Sequence, residues 1–268
     1  MRLAVKHNTV YRFDPPMHGI VQSLRLWPSQ CESQTVLDWV VNIEGTIRGA
    51  SFRDGAGDWI ETAALRAPVS EIVVQVEGTV ETTDLSGVLR GHRERVRPAV
   101  YMRPSHFTKP DHDIKELAKR ATEGAGSELE KAHALSAAIG EAIRYTPGRT
   151  DPATTATEAL AQGHGVCQDH AHAMISAAIS QGIPARYVTG YLHADGDIAE
   201  ASHAWAELYV AGLGWVGFDA SNGVCPDQHY IRLGSGFDSV DAAPIRGVAQ
   251  GRGVEALDVD VSVIEAAQ

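Results

Sequence analysis

From Arg2 to Phe13 the chain alternates. Leu3, Val5, His7, Thr9, Tyr11 and Phe13 fall on one side of a period-two pattern, and Arg2, Lys6, Asn8 and Arg12 on the other. That is the mark of a strand with one buried face. Asp14-Pro15-Pro16 is expected to end it, because proline donates nothing to the ladder. Gln22–Trp27 alternates again as far as Pro28. Gln34–Ile43, Trp59–Leu65 and Ser70–Glu81 repeat the pattern, with Glu71, Gln75 and Glu77 on the wet face of the last. Asp54-Gly55-Ala56-Gly57-Asp58 is a turn signal between two of these runs. Short strands separated by Gly, Pro and Asp turns, with no helical period, predict an all-β, sandwich-like domain over residues 1–98. His7, His18 and Cys31 stand singly in it and read as ordinary surface or core positions.

The period then changes. Arg90, His92, Arg93, Arg95 and Arg97 form a basic run, followed by Pro98, Pro104 and Pro110. The run reads as a solvated face and residues 99–110 as an extended linker. Beyond it, Ile114, Leu117, Ala118 and Ala121 are spaced as one face of a helix. Ser127-Glu-Leu-Glu130 and Thr155-Ala-Thr-Glu158 are capping boxes that open two more helices. From Cys167, the apolar positions Ala171, Met174, Ile175, Ala178 and Ile179 keep helical spacing until Gly182 and Pro184 stop it. This helix is apolar along its length and rich in alanine, so it is predicted to be central. The period falls back to two in Ala185–His193, His203–Val210, Trp215–Phe218 and His229–Leu233. Ala211-Gly-Leu-Gly214 makes the second and third of these a hairpin. Glu255–Ile264 alternates cleanly and is predicted as an outer antiparallel strand. Helices followed by an antiparallel sheet define an α+β domain over 111–268.

Composition narrows the function. The 268 residues are 44% hydrophobic and 21% charged, which suits one large or two ordinary globular domains. A net charge of −11 disfavours nucleic acid and anionic membrane surfaces as partners. No apolar run approaches the roughly 18 residues of a membrane span, and the first residues lack a signal-peptide pattern. Cys31, Cys167 and Cys225 are too few for a disulfide framework, so a reducing, cytoplasmic location is expected.

The chemistry gathers at Gly163–Ser180. A glycine-flanked turn meets the first residue of the central helix, which is Cys167. Unpaired N–H groups and the helix dipole favour a thiolate there. The hairpin sets its two strands about 5 Å apart, so His203 at the start of one lies beside Asp219 at the end of the other. A Cys–His–Asp triad then follows if the helix packs its N-terminus against that edge. The imidazole takes the thiol proton, the carboxylate fixes the imidazole, and N–H groups at the helix start receive an oxyanion. Gln168, Asp169, Trp205 and Tyr145 are further candidates for substrate or oxyanion contacts. Asp169 equally suits a first helical turn by charge alone, and for Trp205 and Trp215 core packing is favoured over lining a cleft. His170 and His172 follow Cys167 by three and five residues, which does not place both on its face, and no ligand-spaced partner set follows. No metal and no cofactor are expected. Cys225 reads as a bystander.

Four motifs in order, Gly-Val-Cys-Gln-Asp-His-Ala-His at 165–172, Gly-Ile-Pro-Ala-Arg-Tyr-Val at 182–188 with Gly190-Tyr191, Ser-His-Ala-Trp-Ala-Glu at 202–207 and Gly-Trp-Val-Gly-Phe-Asp at 214–219, resemble the bacterial transglutaminase-like superfamily. The similarity is to the branch of transglutaminase-like cysteine peptidases with an N-terminal β-rich domain. It extends more loosely to the Tyr11 strand, Leu24-Arg-Leu with Pro28, and the Asp54–Gly57 turn. The resemblance implies a papain-like core, a triad of Cys167, His203 and Asp219, and no metal. It implies thiol-dependent attack on a peptide or protein amide through an acyl-enzyme. Peptidase or amidase hydrolysis is the expected outcome, with transglutaminase transfer to an amine, or a silent binding module, as alternatives. Two departures stand out. Asp219-Ala-Ser-Asn222 replaces the family's Asp-Pro-Thr-Asn, and Gly236-Phe-Asp-Ser239 replaces Gly-Arg-Asp-Tyr.

Overall fold

Apolar alternation at the start of the chain produces a long strand, and that strand takes partners from both ends of the sequence. The computed structural model describes residues 1–66, 68–194, 202–252 and 254–266. Its elements are β1 (Arg2–Met17), β2 (Gly19–Leu24), β3 (Gln34–Ile43), β4 (Ile47–Arg53), β5 (Trp59–Leu65), β6 (Val69–Thr82), α1 (His112–Ala121), α2 (Glu128–Ala142), β7 (Arg144–Tyr145), α3 (Ala156–Gln162), β8 (His164–Gly165), α4 (Cys167–Ser180), β9 (Ala185–Leu192), β10 (Ser202–Val210), β11 (Gly214–Phe218), β12 (Tyr230–Gly236), β13 (Ile245–Gln250) and β14 (Val254–Glu265). One antiparallel sheet is ordered β14-β1-β6-β3 and a second β13-β2-β5-β4. Leu3, Val5, Val74 and Val76 of the first share one apolar core with Ile20, Leu24 and Leu65 of the second.

Three local expectations change. β1 does not end at Asp14 but continues to Met17, its pairing with β6 shifting register between Arg12 and Met17; a bulge absorbs the prolines. β4 and β13 carry no clean alternation in sequence and are edge strands. Most importantly, the expected division assigns 111–268 to one domain, whereas β13 pairs with β2 and β14 pairs with β1 from Leu3↔Glu265 to Asp14↔Val254. The end of the chain completes both N-terminal sheets. A free strand edge is the reason, since β1 would otherwise present an unpaired ladder.

The third sheet, β11-β10-β9-β12, carries α4 across β9 and β10, with α1, α2 and α3 packed around α4. This is the α+β core. Ala171, Ala173, Ala177 and Ala178 on α4 are fully buried or nearly so, and their small side chains let the neighbouring elements approach closely. Ile114, Leu135, Ile139, Met174 and Leu208 fill the space between them. Thr155 and Glu158 form a complete capping box. At α2, Ser127 caps the Glu130 N–H, but the Glu130 carboxylate turns to the Gly126 N–H instead.

The opposite face of this sheet lies on the N-terminal sandwich. Tyr191, Ile231 and Leu233 belong to the sandwich core. Beside them a buried ion network joins the two bodies. Glu207 accepts from Arg186 Nε at 2.7 Å and Arg232 Nε at 2.8 Å. Arg232 reaches Asp58 at 2.9 Å and Ser29 at 2.6 Å, and Arg186 reaches Glu94 at 2.5 Å. The Arg186 guanidinium also lies 4.0 Å from the Trp215 ring centroid. The expected linker is therefore a packed strap. Glu94 is held by Arg186 and the Trp215 indole, and the buried Tyr101 packs on Trp215 and Phe237. Arg90, Arg93, Arg95 and Arg97 are exposed.

Candidate active site

The turn before α4 is set by two glycines. Gly163 closes α3 in the left-handed region at φ +67°, where side chains are disfavoured. At Gly165 a Cβ would lie 2.6 Å from the Asp169 Cβ. Asp169 needs that space. It is fully buried, and its Oδ2 accepts from the Val166 N–H at 2.8 Å and the Thr150 hydroxyl at 2.7 Å. These bonds fix the chain as it enters the helix, and Cys167 is the first residue of α4, half-buried. The first N–H groups of a helix have no intrahelical acceptor.

The β10–β11 hairpin, joined through Ala211–Leu213, supplies the partners. His203 Nε2 lies 2.6 Å from Asp219 Oδ2, and the Cys167 thiol is near enough to the same ring to act on its charge. With Nε2 taken by Asp219, the nitrogen left for a thiol proton is Nδ1. Burial opposes a charge on His203. The hydrogen bonds and charges of Asp219 and Cys167 outweigh it and raise the ring from 6.5 to about 10. Burial likewise opposes ionisation of Asp219. The bond and charge of His203, with Ser221 and Asn222, overcome it and hold the carboxyl at about 2.

Asp219 is tied down more firmly than the hairpin alone would do. Oδ1 accepts from the Ser221 N–H at 3.0 Å, the Ser221 hydroxyl at 2.6 Å and the Asn222 N–H at 3.2 Å. Oδ2 accepts from Asn222 Nδ2 at 2.7 Å and the Tyr230 hydroxyl at 2.8 Å as well as from His203. Ser221, Asn222 and Tyr230 were not among the expected site residues. An Asp followed by Ser and Asn is an Asx-turn signal that could have pointed to the first two. Tyr230 comes from β12, and no local pattern announces it.

The other candidates are dispersed. Trp205 is buried, near-parallel to His203 at 6.5 Å and edge-on to Tyr230 at 5.5 Å, and so backs the imidazole. Gln168 points to the Pro152 carbonyl at 3.4 Å. Tyr145 is 41% exposed on the two-stranded β7–β8 pair, 6.4 Å from the His170 ring. Asp169 lies beneath the turn. His170 has its nitrogens 2.9 and 2.7 Å from the Val166 and Ile143 carbonyls. His172 stacks on Phe107 and accepts from the Ser239 N–H at 3.1 Å. The Gly236–Ser239 segment therefore rests on α4, with Phe237 between Tyr101 and the Arg103 guanidinium. Among the described residues no group of three or more His, Cys, Asp or Glu is arranged to hold a metal, and no helix is long and apolar enough to cross a membrane.

Two buried histidines make stability depend on pH. Burial lowers His7 and His172 from 6.5 to about 4, against the opposing charges of Asp260 and Asp238. Both rings are held neutral in the fold, while the unfolded chain binds their protons below 6.5. Their contribution is complete above pH 6.5 and is lost as pH falls through 6.5 toward 4, by about 3 kcal/mol each. Urea unfolding at pH 7 and pH 4.5 is expected to show this loss, and His172→Gln should flatten it. An unchanged midpoint across that range would contradict it.

An α+β core with a helix-borne cysteine against a strand-borne histidine and aspartate defines a class. Residues 115–220 match the Transglutaminase-like superfamily and residues 3–81 the Bacterial transglutaminase-like N-terminal region. The uncharacterized protein ML0607 of Mycobacterium leprae is 32% identical over 98% of both chains. The uncharacterized protein Rv2569c of Mycobacterium tuberculosis is 33% identical over 48% of this chain and 45% of its own length. A solved candidate cysteine protease of Cytophaga hutchinsonii shares the fold with a TM-score of 0.76, covering 100% of this chain and 92% of that one at 22% identity. The chain belongs to the transglutaminase-like superfamily, whose members are cysteine peptidases or acyltransferases.

Proposed function

We propose that this protein hydrolyses an amide bond of a peptide or protein through an acyl-enzyme on Cys167. The His203–Asp219 hydrogen bond, with the Cys167 thiol beside the same ring, carries the reading. The Cys167 sulfur, its proton held by His203, attacks the carbonyl carbon. The carbonyl electrons move to oxygen, where N–H groups at the start of α4 receive them. His203 then gives its proton to the leaving nitrogen and the C–N bond breaks. Water adds to the thioester as His203 takes its proton, and the carboxylic acid leaves with the thiol restored. Asp219 stays ionised throughout and keeps the imidazole in place.

Ammonia or amine release and amine incorporation, measured on a peptide library, separate the outcomes. Release without incorporation supports hydrolysis. Incorporation of a supplied amine identifies a transglutaminase, because the same acyl-enzyme then passes to nitrogen. Neither product, from protein whose Cys167 is intact, leaves a binding module. Alkylation tests the thiol directly. Burial raises the thiols of Cys31 and Cys225, the latter further by the charge of Asp84, whereas Cys167 stands at a helix start beside the His203 ring. Iodoacetamide at pH 6.5 is expected to modify Cys167 first, as read by peptide mapping. Equal labelling of all three cysteines would sink the activated-thiolate reading.

A further inference from the structure

Three cavities run end to end along the open side of the N-terminal sandwich, between β3 and β4. The first, about 390 Å³, is lined by Trp39 and Val40 from one strand and Arg48 and Gly49 from the other. It shares Trp27 and Glu61 with the second, about 630 Å³, whose walls include Trp59 and Thr35. The second shares Gln30 and Arg53 with a third of about 350 Å³, closed by His92 and Arg93. Shared walls make these one groove.

Its lining is unlike the rest of the surface. Three of the chain's five tryptophans lie on it. β3 and β4 each end their sheet, so each turns a row of backbone N–H and C=O groups outward. Val36, Val40, Ile47 and Phe52 on these strands are exposed. The charge is also inverted. Three arginines (Arg48, Arg53 and Arg93) face one carboxylate, Glu61, on a chain of net charge −11. Glu61 is already occupied by Arg48 at 2.9 Å and the Trp59 indole at 3.1 Å. Arg53 is held by Gln30 and the Gly57 carbonyl with its guanidinium 5.5 Å from the Trp59 ring centroid. One end is therefore aromatic and the other cationic.

We propose that this groove binds an extended polypeptide segment in which a large apolar residue adjoins acidic ones. The strand edges offer the ladder that an extended backbone needs, the indoles take the apolar side chain, and Arg53 and Arg93 take the carboxylates. An oligosaccharide could stack on the indoles but could not use the strand edges. Under the amide-hydrolysis reading, the groove gives the polypeptide substrate a second hold away from Cys167. Binding itself does not depend on turnover.

The test uses the full chain carrying Cys167→Ala, titrated with the blocked peptide Ac-Gly-Phe-Leu-Asp-Glu-Gly-NH2 by calorimetry and tryptophan fluorescence. Saturable binding with a shift in emission is expected. A counterpart with lysine in place of both acidic residues should bind at least about tenfold more weakly. Arg93→Glu at the cationic end and Val40→Glu at the aromatic end, both at exposed positions, should each weaken the acidic peptide about tenfold with an unchanged melting temperature. Equal binding of the two peptides, parent-like binding by either variant, or tighter binding of chitotriose overturns the proposal. Peptide binding without turnover by the unsubstituted protein counts against hydrolysis alone, and turnover without binding counts against the groove alone.

Discussion

Cys167→Ala is expected to remove amide turnover, lowering kcat/KM by a factor on the order of 10⁴ or more, while the protein stays folded. The magnitude follows from what is lost. A covalent mechanism without its nucleophile keeps only binding and oxyanion stabilisation. The fold survives because Cys167 is half-buried at a helix start, alanine suits that position, and Asp169 still ties the turn through the Val166 N–H. Turnover on the peptide substrate and the urea midpoint must be measured on the same preparation. His203→Gln should fall nearly as far, since nucleophile and base act as one unit and their losses do not add. Retained turnover in Cys167→Ala would rule out the acyl-enzyme.

Glu207→Ala is expected to cost about 3–5 kcal/mol of stability, because it leaves two buried guanidinium groups facing each other. Glu207 is the hinge of the network between the two bodies, bonded to both Arg186 and Arg232. Burial opposes its ionisation, but the charges and bonds of Arg232 and Arg186 overcome this and lower it from 4.5 to about 2. Its contribution is therefore present above pH 4.5 and lost as pH falls from 4.5 toward 2, and the variant should lack that acid step. A triple replacement, Arg186→Met, Glu207→Leu and Arg232→Met, should cost at least as much as Glu207→Ala alone, because it strips the buried Asp58 and the half-buried Glu94 of their arginines. Denaturant unfolding measures both. A loss under about 1 kcal/mol for Glu207→Ala would mean that water compensates the arginines and the network does not hold the bodies together.

Much of the site was legible along the chain. The helical period from Ala171 to Ile179 and the glycines at 163 and 165 put Cys167 at the first residue of α4, where it lies. Ala211–Gly214 predicts the hairpin, and the hairpin makes His203 and Asp219 neighbours at 2.6 Å. Tyr230 was invisible because it reaches Asp219 from a separate strand. The α+β core and the β-rich start were likewise readable from period alone. The place of β14 was not, because its alternation says only that it is a strand and not which edge it covers.

The sequence by itself determined most of the elements, though not β4 and β13, and the position of each reactive group on them. Turn, helix and hairpin geometry depends on residues fewer than about twenty apart, whose types impose backbone angles and periodicity directly. Only the tertiary structure decided that residues 245–265 close the N-terminal sheets, that Arg186, Glu207, Arg232 and Asp58 share one buried network, that Cys167 meets His203, and that β3 and β4 leave a groove between them. Such contacts join positions as distant as Arg12 and Asp258. They are chosen by which surfaces exclude water together and which charges find partners when they do, and no local pattern carries that information.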